Sequence, residues 1–189
     1  GVRDVSILEA TSEVLTKVRI SGGGRCNVTH ACWDAMELVG HYPRGSRPLR
    51  GPFSRFACGD SIAWFAEHGL TLVEESDGRM FPQQNRSEAV VECLRRAAVA
   101  VGVKIQCGCA VRQLSCSEGG GFQLSDQRSE LHHAKRVLLA SGGHPSGRRL
   151  AQDLGHTIVP PVPSLFSLKL QVAALTACSG IALDDVGLD

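Results

Sequence analysis

Short apolar runs alternate with helix-spaced segments along most of this chain, and that alternation limits the fold more than any other feature. Asp4 to Glu9, DVSILE, alternates into an apolar run that ends on an acid and reads as a buried strand. GDSIAWFAEHG, from Gly59 to Gly69, places apolar residues at helical spacing and ends on glycine. Leu70 to Glu74 is strand-like, and Ser87 to Val101, SEAVVECLRRAAVAV, is the clearest helix, opened by a serine with an acid in its first turn. Val103 to Gln106 and Ala110 to Cys116 follow as strands. Ser117 to Gly121 is a hairpin loop, and Phe122 to Ser125 is the returning strand. Arg136 to Ser141, RVLLAS, reads as a short buried strand, and Arg148 to Leu154 as a short helix. This order predicts an α/β fold built on a mostly parallel sheet. Pro160, Pro161 and Pro163 mark a linker, and the alternation over Ser164 to Val172 suggests a strand of another sheet.

Charge and size narrow the function classes. The 189 residues carry a formal net charge of +1, with 43% hydrophobic and 5% aromatic residues. A core can be buried without staples. Neither the charge nor the sparse aromatics argue for a nucleic-acid partner, and no apolar run approaches the ~20 residues of a membrane helix. The eight cysteines follow no scaffold spacing, and the Cys107/Cys109 pair has no CxxC partner or nearby histidine pair. The expectation is therefore reduced, mostly buried thiols in a reducing intracellular compartment, cytoplasm or organellar stroma, and no metal site. His132 and His133 read as solvated in a polar loop.

Four segments carry possible chemistry. Glu9 ends a strand, where an acid either accepts hydrogen bonds from a nucleotide ribose or caps the strand at the surface. Ser21, Gly22, Gly23, Gly24, Arg25, Cys26 and Asn27 form a glycine-rich cluster. Its backbone allows close approach of an anion or planar ring, with Arg25 as a cation and Asn27 as donor and acceptor; the alternative is a surface loop. It is not a Walker phosphate loop, because no Gly-Lys-Ser/Thr follows. Ala140, Ser141, Gly142 and Gly143 are small enough for a ligand to lie against the backbone, or form a tight turn. Asp77 to Pro82, DGRMFP, is a turn into an extended segment. Cys26 beside Arg25 is a candidate redox thiol, with a structural thiol the preferred reading. No side chain stands out as an acid, base or nucleophile, so the catalytic residues stay unassigned.

Taken together, DVSILEA, ISGGGRCNVT, GDSIAWFAEHG, DGRMFP, LASGG and LGHTIVPPVPSLFSLKL resemble the YhiN/BaiN-like flavoproteins, also called the aminoacetone oxidase family, over nearly the whole chain and in order. The resemblance implies an FAD-dependent oxidoreductase passing hydride or electrons to or from a small organic substrate, with NAD(P)H as a candidate donor. It implies a Rossmann-like FAD-binding domain with a small β-meander over residues 1–160 and the start of an inserted β-rich substrate domain over 161–189. Glu9 would bind the adenosine ribose. Ser21 to Asn27 would line the pyrophosphate and flavin. Val111 would contact adenine through its backbone, and Ala140 to Gly143 would close over the adenosine side. Arg79, Phe81 and Pro82 would lie toward the flavin or substrate. The G-x-G-x-x-G fingerprint does not occur in the chain. By this resemblance the chain is expected to be a fragment without that unit and without the C-terminal flavin segment. The alternatives are a non-catalytic nucleotide-binding module and an inert truncated product.

Overall fold

The computed structural model describes residues 4–163. In chain order the elements are β1 (Ser6–Leu8), α1 (Thr16–Ile20), a 3-10 turn (Ser21–Gly24), β2 (Thr29–His30), α2 (Ala35–Gly40), α3 (Ser46–Phe53) and α4 (Cys58–Glu67). They continue with β3 (Leu72–Glu74), β4 (Arg79–Pro82), α5 (Ser87–Ala100), β5 (Lys104–Gln106), β6 (Val111–Cys116), β7 (Phe122–Asp126), β8 (Leu131–Ala134) and α6 (Pro145–Asp153). The fold is mixed α/β, as the alternation predicts, but the pairing is not mostly parallel. Among the described residues only β1 and β5 pair in parallel and the other six strands pair antiparallel, with β3–β4, β6–β7 and β7–β8 joined by hairpins rather than helical crossovers. β1 and β5 pair in parallel, with Ile7 opposite Ile105. β2, β4 and β3 form an antiparallel sheet in that order, and β6, β7 and β8 form an antiparallel meander.

The helix signals work through identifiable contacts. Asp60 reaches back to accept from the Ala57 N–H at the start of α4. At its end Gly69 takes φ +78°, and the Leu70 N–H returns to the Phe65 carbonyl. That closes the helix in a Schellman geometry and packs Leu70 on Phe65 in one core cluster with Cys26, Val90 and Cys93. A second cluster gathers Leu114, Leu124 and Leu150, joining the meander to α6. A third joins Cys32, Leu38 and Cys58.

Four further expectations need correction. Ser87 does not cap α5 from outside. It is the first helical residue, fully buried, and its hydroxyl donates across the core to the Arg19 carbonyl at 2.8 Å. β1 is not buried: Ser6 and Ile7 are exposed, Ile7 at 42%, and among the described residues β1 pairs along one edge only. RVLLAS is not a strand. Residues 136–141 have no ladder partner among the described residues, and Leu138 is 89% exposed. An apolar run becomes a strand only where a neighbour accepts its backbone bonds. His132 and His133 are not in a loop but in β8, opposite Leu124 and Gln123, with His132 half-buried. The proline linker is irregular to residue 163, and the strand read over 164–172 lies outside the described residues.

The Ser87 to Arg19 bond ties α5 to α1. Ser87→Ala should remove about 1–2 kcal/mol of stability by leaving that carbonyl unpaired, as measured by denaturant unfolding; an unchanged midpoint would show that the bond contributes nothing net.

Candidate functional site

The glycine cluster is built from left-handed backbone. Gly22, Gly23 and Gly24 have φ of +55°, +66° and +84°, and Cys26 has φ +62°. Glycine carries such angles without a Cβ penalty. The turn is closed by its own amides, with Arg25 N–H to the Gly22 carbonyl and Cys26 N–H to the Ser21 carbonyl. Gly22 also needs to be glycine for space, since a Cβ there would lie 2.9 Å from the Asn27 nitrogen and 3.2 Å from Phe81. At Gly23 a Cβ would meet nothing within 4 Å, so its bare backbone faces outward.

This loop is held on β4. The Arg25 guanidinium lies 4.0 Å from the centre of the Phe81 ring, bonds Asn85 Oδ1 at 2.5 Å, and pairs with Glu75. Arg79 flanks the same ring at 5.3 Å and joins Glu75 and Asp77. Asn27 Oδ1 accepts from the Met80 N–H, and the Val28 N–H donates to the Met80 carbonyl. Cys26 is 6% exposed and packs in the core, which is the position of a structural thiol. Phe81 and Pro82 are also buried, so Arg79 is the half-exposed member of its trio. The Arg79 N–H and then its guanidinium hold the Asp77 carboxyl below the usual carboxylate range. Burial pushes the Cys32 and Cys93 thiols up. Among the described residues the cysteines are free thiols.

The other candidates lie at strand ends. The Glu9 N–H continues the parallel pairing to the Gln106 carbonyl, and its Oε1 accepts from both the N–H and hydroxyl of Thr11. Its Oε2 has no partner among the described residues. Val111 begins β6 opposite Asp126, beside a bulge. Ala140 to Gly143 is a loop leading to α6, where Gly142 has φ +56° and the Ser141 hydroxyl packs so closely on Gly147 that no Cβ fits there. Lys17 was not singled out by the sequence. Its Nζ comes within 3.5 Å of the place a Cβ on Gly142 would occupy, which brings α1 and the 140–143 loop together. It is exposed and makes no ion pair among the described residues. Nothing in TKVRI signals this, because the proximity spans over a hundred residues of chain.

Beside Asn27 an apolar cavity of about 370 Å³ opens between Tyr42, Phe53, Phe56 and Ser61. The bare Gly23 backbone, with the cavity opening beside Asn27, can admit the close approach of an anion or a planar ring.

The model of the HI0933-like protein Rossmann domain matches residues 1–188. The chain belongs to the HI0933-like Rossmann-domain family. That family comprises the YhiN/BaiN-like FAD-dependent oxidoreductases, flavoproteins with a Rossmann domain. Relatives include a 3-dehydro-bile acid delta(4,6)-reductase from Clostridium scindens, 31% identical over 97% of this chain and 46% of the relative. A ribosomal RNA dihydrouridine synthase from Haemophilus influenzae is 27% identical over 96% of this chain and 47% of that protein. The Escherichia coli protein of the same name is 23% identical over 97% and 47%. The chain therefore spans about half the length of the curated relatives it matches.

These relatives correct one expectation. Nucleic acid is not excluded as a partner in this family, since two HI0933-like relatives are named for ribosomal RNA. Net charge averages over the chain and hides local clusters. Residues 38–59 contain Arg44, Arg47, Arg50 and Arg55 and no acid, and all four arginines are exposed. No described helix is long and apolar enough to cross a membrane.

Gly22→Ala should lift the loop from Phe81 and cost about 1–2 kcal/mol from the left-handed φ alone. Denaturant unfolding measures this, and a variant as stable as the parent would contradict the close approach.

Proposed function

We propose that this chain supplies the cofactor-binding core of an FAD-dependent oxidoreductase that passes hydride or electrons between flavin and a small organic substrate. The observation that carries the reading is the left-handed Gly22–Gly24 turn, braced on β4 with the Gly23 backbone open. Glu9 Oε2 would accept from the adenosine ribose, and Lys17 would meet the pyrophosphate charge. The Val111 backbone would contact adenine, and Ala140 to Gly143 would cover the adenosine side. Ser21 to Asn27 would line the pyrophosphate and flavin, with Arg79 toward the substrate and Phe81 and Pro82 supporting the loop. When bound, the isoalloxazine supplies the redox chemistry; the chain orients it and sets its charge surroundings. Residues 1–160 would form this domain, and 161–189 would begin a second.

The relatives' names denote a reductase and the making of a dihydro base, so reduction of the substrate is the direction proposed. The apolar cavity beside Asn27 favours an apolar organic molecule. A second reading, an RNA substrate, is favoured by the four exposed arginines of the acid-free 38–59 stretch, the same stretch that contributes Leu38, Tyr42, Phe53 and Phe56 to the cavity.

In the complete protein, Glu9→Ala should weaken FAD binding by about 1–3 kcal/mol, the scale of a lost charged hydrogen bond. Flavin fluorescence on titration measures it, and unchanged affinity would remove Glu9 from the site. Offering the reduced flavoprotein an unsaturated organic molecule or a uridine-containing RNA separates the two substrates by which one reoxidises the flavin.

A further inference from the structure

We propose that Cys109, Asp126 and His132 bind a divalent cation of the zinc type, at a site separate from the flavin loop. The three come from different parts of the meander: the segment entering β6, the end of β7, and β8. Cys109 Sγ lies 3.5 Å from Asp126 Oδ2 and 3.7 Å from His132 Nε2, and those two atoms are 4.0 Å apart. Ligand atoms on a tetrahedral zinc at ~2.0–2.3 Å stand roughly 3.3–3.8 Å from each other. Two of the three separations already fit, and a small rotation of the imidazole closes the third. Thiolate, imidazole and carboxylate together are a zinc-type donor set, and three protein ligands leave a fourth position for water or a further group.

Two of the three ligands are held in place by neighbours. Gln127 bonds the Gly108 carbonyl and the Ala110 N–H on either side of Cys109. Asp126 is 4% exposed, and its Oδ1 accepts from the N–H groups of Arg128 at 2.8 Å and Glu130 at 3.0 Å. That leaves Oδ2 aimed at the thiol and the imidazole. Such outer contacts orient ligands in metal sites. The Cys109 thiol now donates to Oδ2; a cation would displace that proton to solvent, forming one metal–sulfur bond and breaking one S–H bond. The other Cys/Glu/His grouping among the described residues, Cys32, Glu37 and His41, has two exposed members and no comparable bracing. The site has a structural consequence. The Cys109 N–H donates to the Glu9 carbonyl at 2.8 Å, so a metal there would brace the strand end that carries Glu9.

The test uses the complete protein expressed with zinc and purified without chelator, with metal content measured by elemental analysis. Cobalt substitution then reports a thiolate-to-cobalt charge-transfer band in the near ultraviolet. About one equivalent bound through sulfur is expected. Outer-shell losses alone cost about 10- to 100-fold in metal affinity, so Cys109→Ser and His132→Gln should each weaken binding about 100-fold or more and abolish or shift the band. Asp126→Asn keeps the Oδ1 acceptor for the turn and removes the charge, so it separates ligation from folding; circular dichroism checks that each variant is folded. Cys32→Ser and Cys116→Ser should retain the band. Protein without zinc and without a cobalt band, or a band unchanged in folded Cys109→Ser and His132→Gln variants, would overturn the proposal. Neither readout involves flavin, so failure here leaves the proposed function standing.

Discussion

The docking of Arg25 onto Phe81 and Glu75 is the contact on which the candidate site depends. It pulls a turn of three left-handed glycines against β4, which buries Cys26 in the core and leaves Gly23 facing out. A cation over an aromatic face with a carboxylate beside it is worth more when half-buried than at an open surface. Here the ring and the carboxylate both come from the β3–β4 hairpin, 50 or more residues downstream, and Asn85 just beyond it adds a hydrogen bond. The loop is thus a braced surface rather than a linker. Preformed backbone of this kind binds a ligand without first being ordered, which removes an entropy cost from binding.

A second anchor acts from the other side. Glu9 stands where β1 leaves its pairing with β5, and its carbonyl is gripped by the Cys109 N–H while its carboxylate is oriented by Thr11. The meander therefore does more than decorate the fold, because its entry segment fixes the strand end that carries the acid. Lys17 and Gly142 approach each other as well, which brings α1 to the 140–143 loop. Three short sheets share the chain, and the hydrophobic cluster of Leu114, Leu124 and Leu150 also takes in Leu8 of β1, so the parallel pair and the meander meet through a common apolar core.

Local patterns made α4, α5 and the β6–β7 hairpin legible, because their caps, glycines and periodicity act within a few residues. The short helices α1 to α3 were not, since SRPLRGPF carries two prolines and a glycine inside a helix that packing has to stabilise. RVLLAS failed for the opposite reason: its pattern suits a strand, but strand formation needs a neighbour that the pattern does not supply. The site divides in the same way. Glu9 and the glycine run are visible as residues. The Arg25–Glu75 pairing, the approach of Lys17 to Gly142 and the convergence of His132 on Cys109 depend on contacts between segments 23 to more than a hundred residues apart, which no local spacing encodes. Whole-chain charge misled for a related reason, since a balanced total concealed four exposed arginines in one acid-free stretch.

The central claim is that the braced glycine turn contacts the cofactor through its backbone. A crystal structure of the complete protein with FAD tests it most directly. The account predicts cofactor atoms in contact with the main chain of Gly22 to Gly24, with Arg25 still stacked on Phe81. FAD bound elsewhere, with residues 21–27 out of contact with it, would contradict the account.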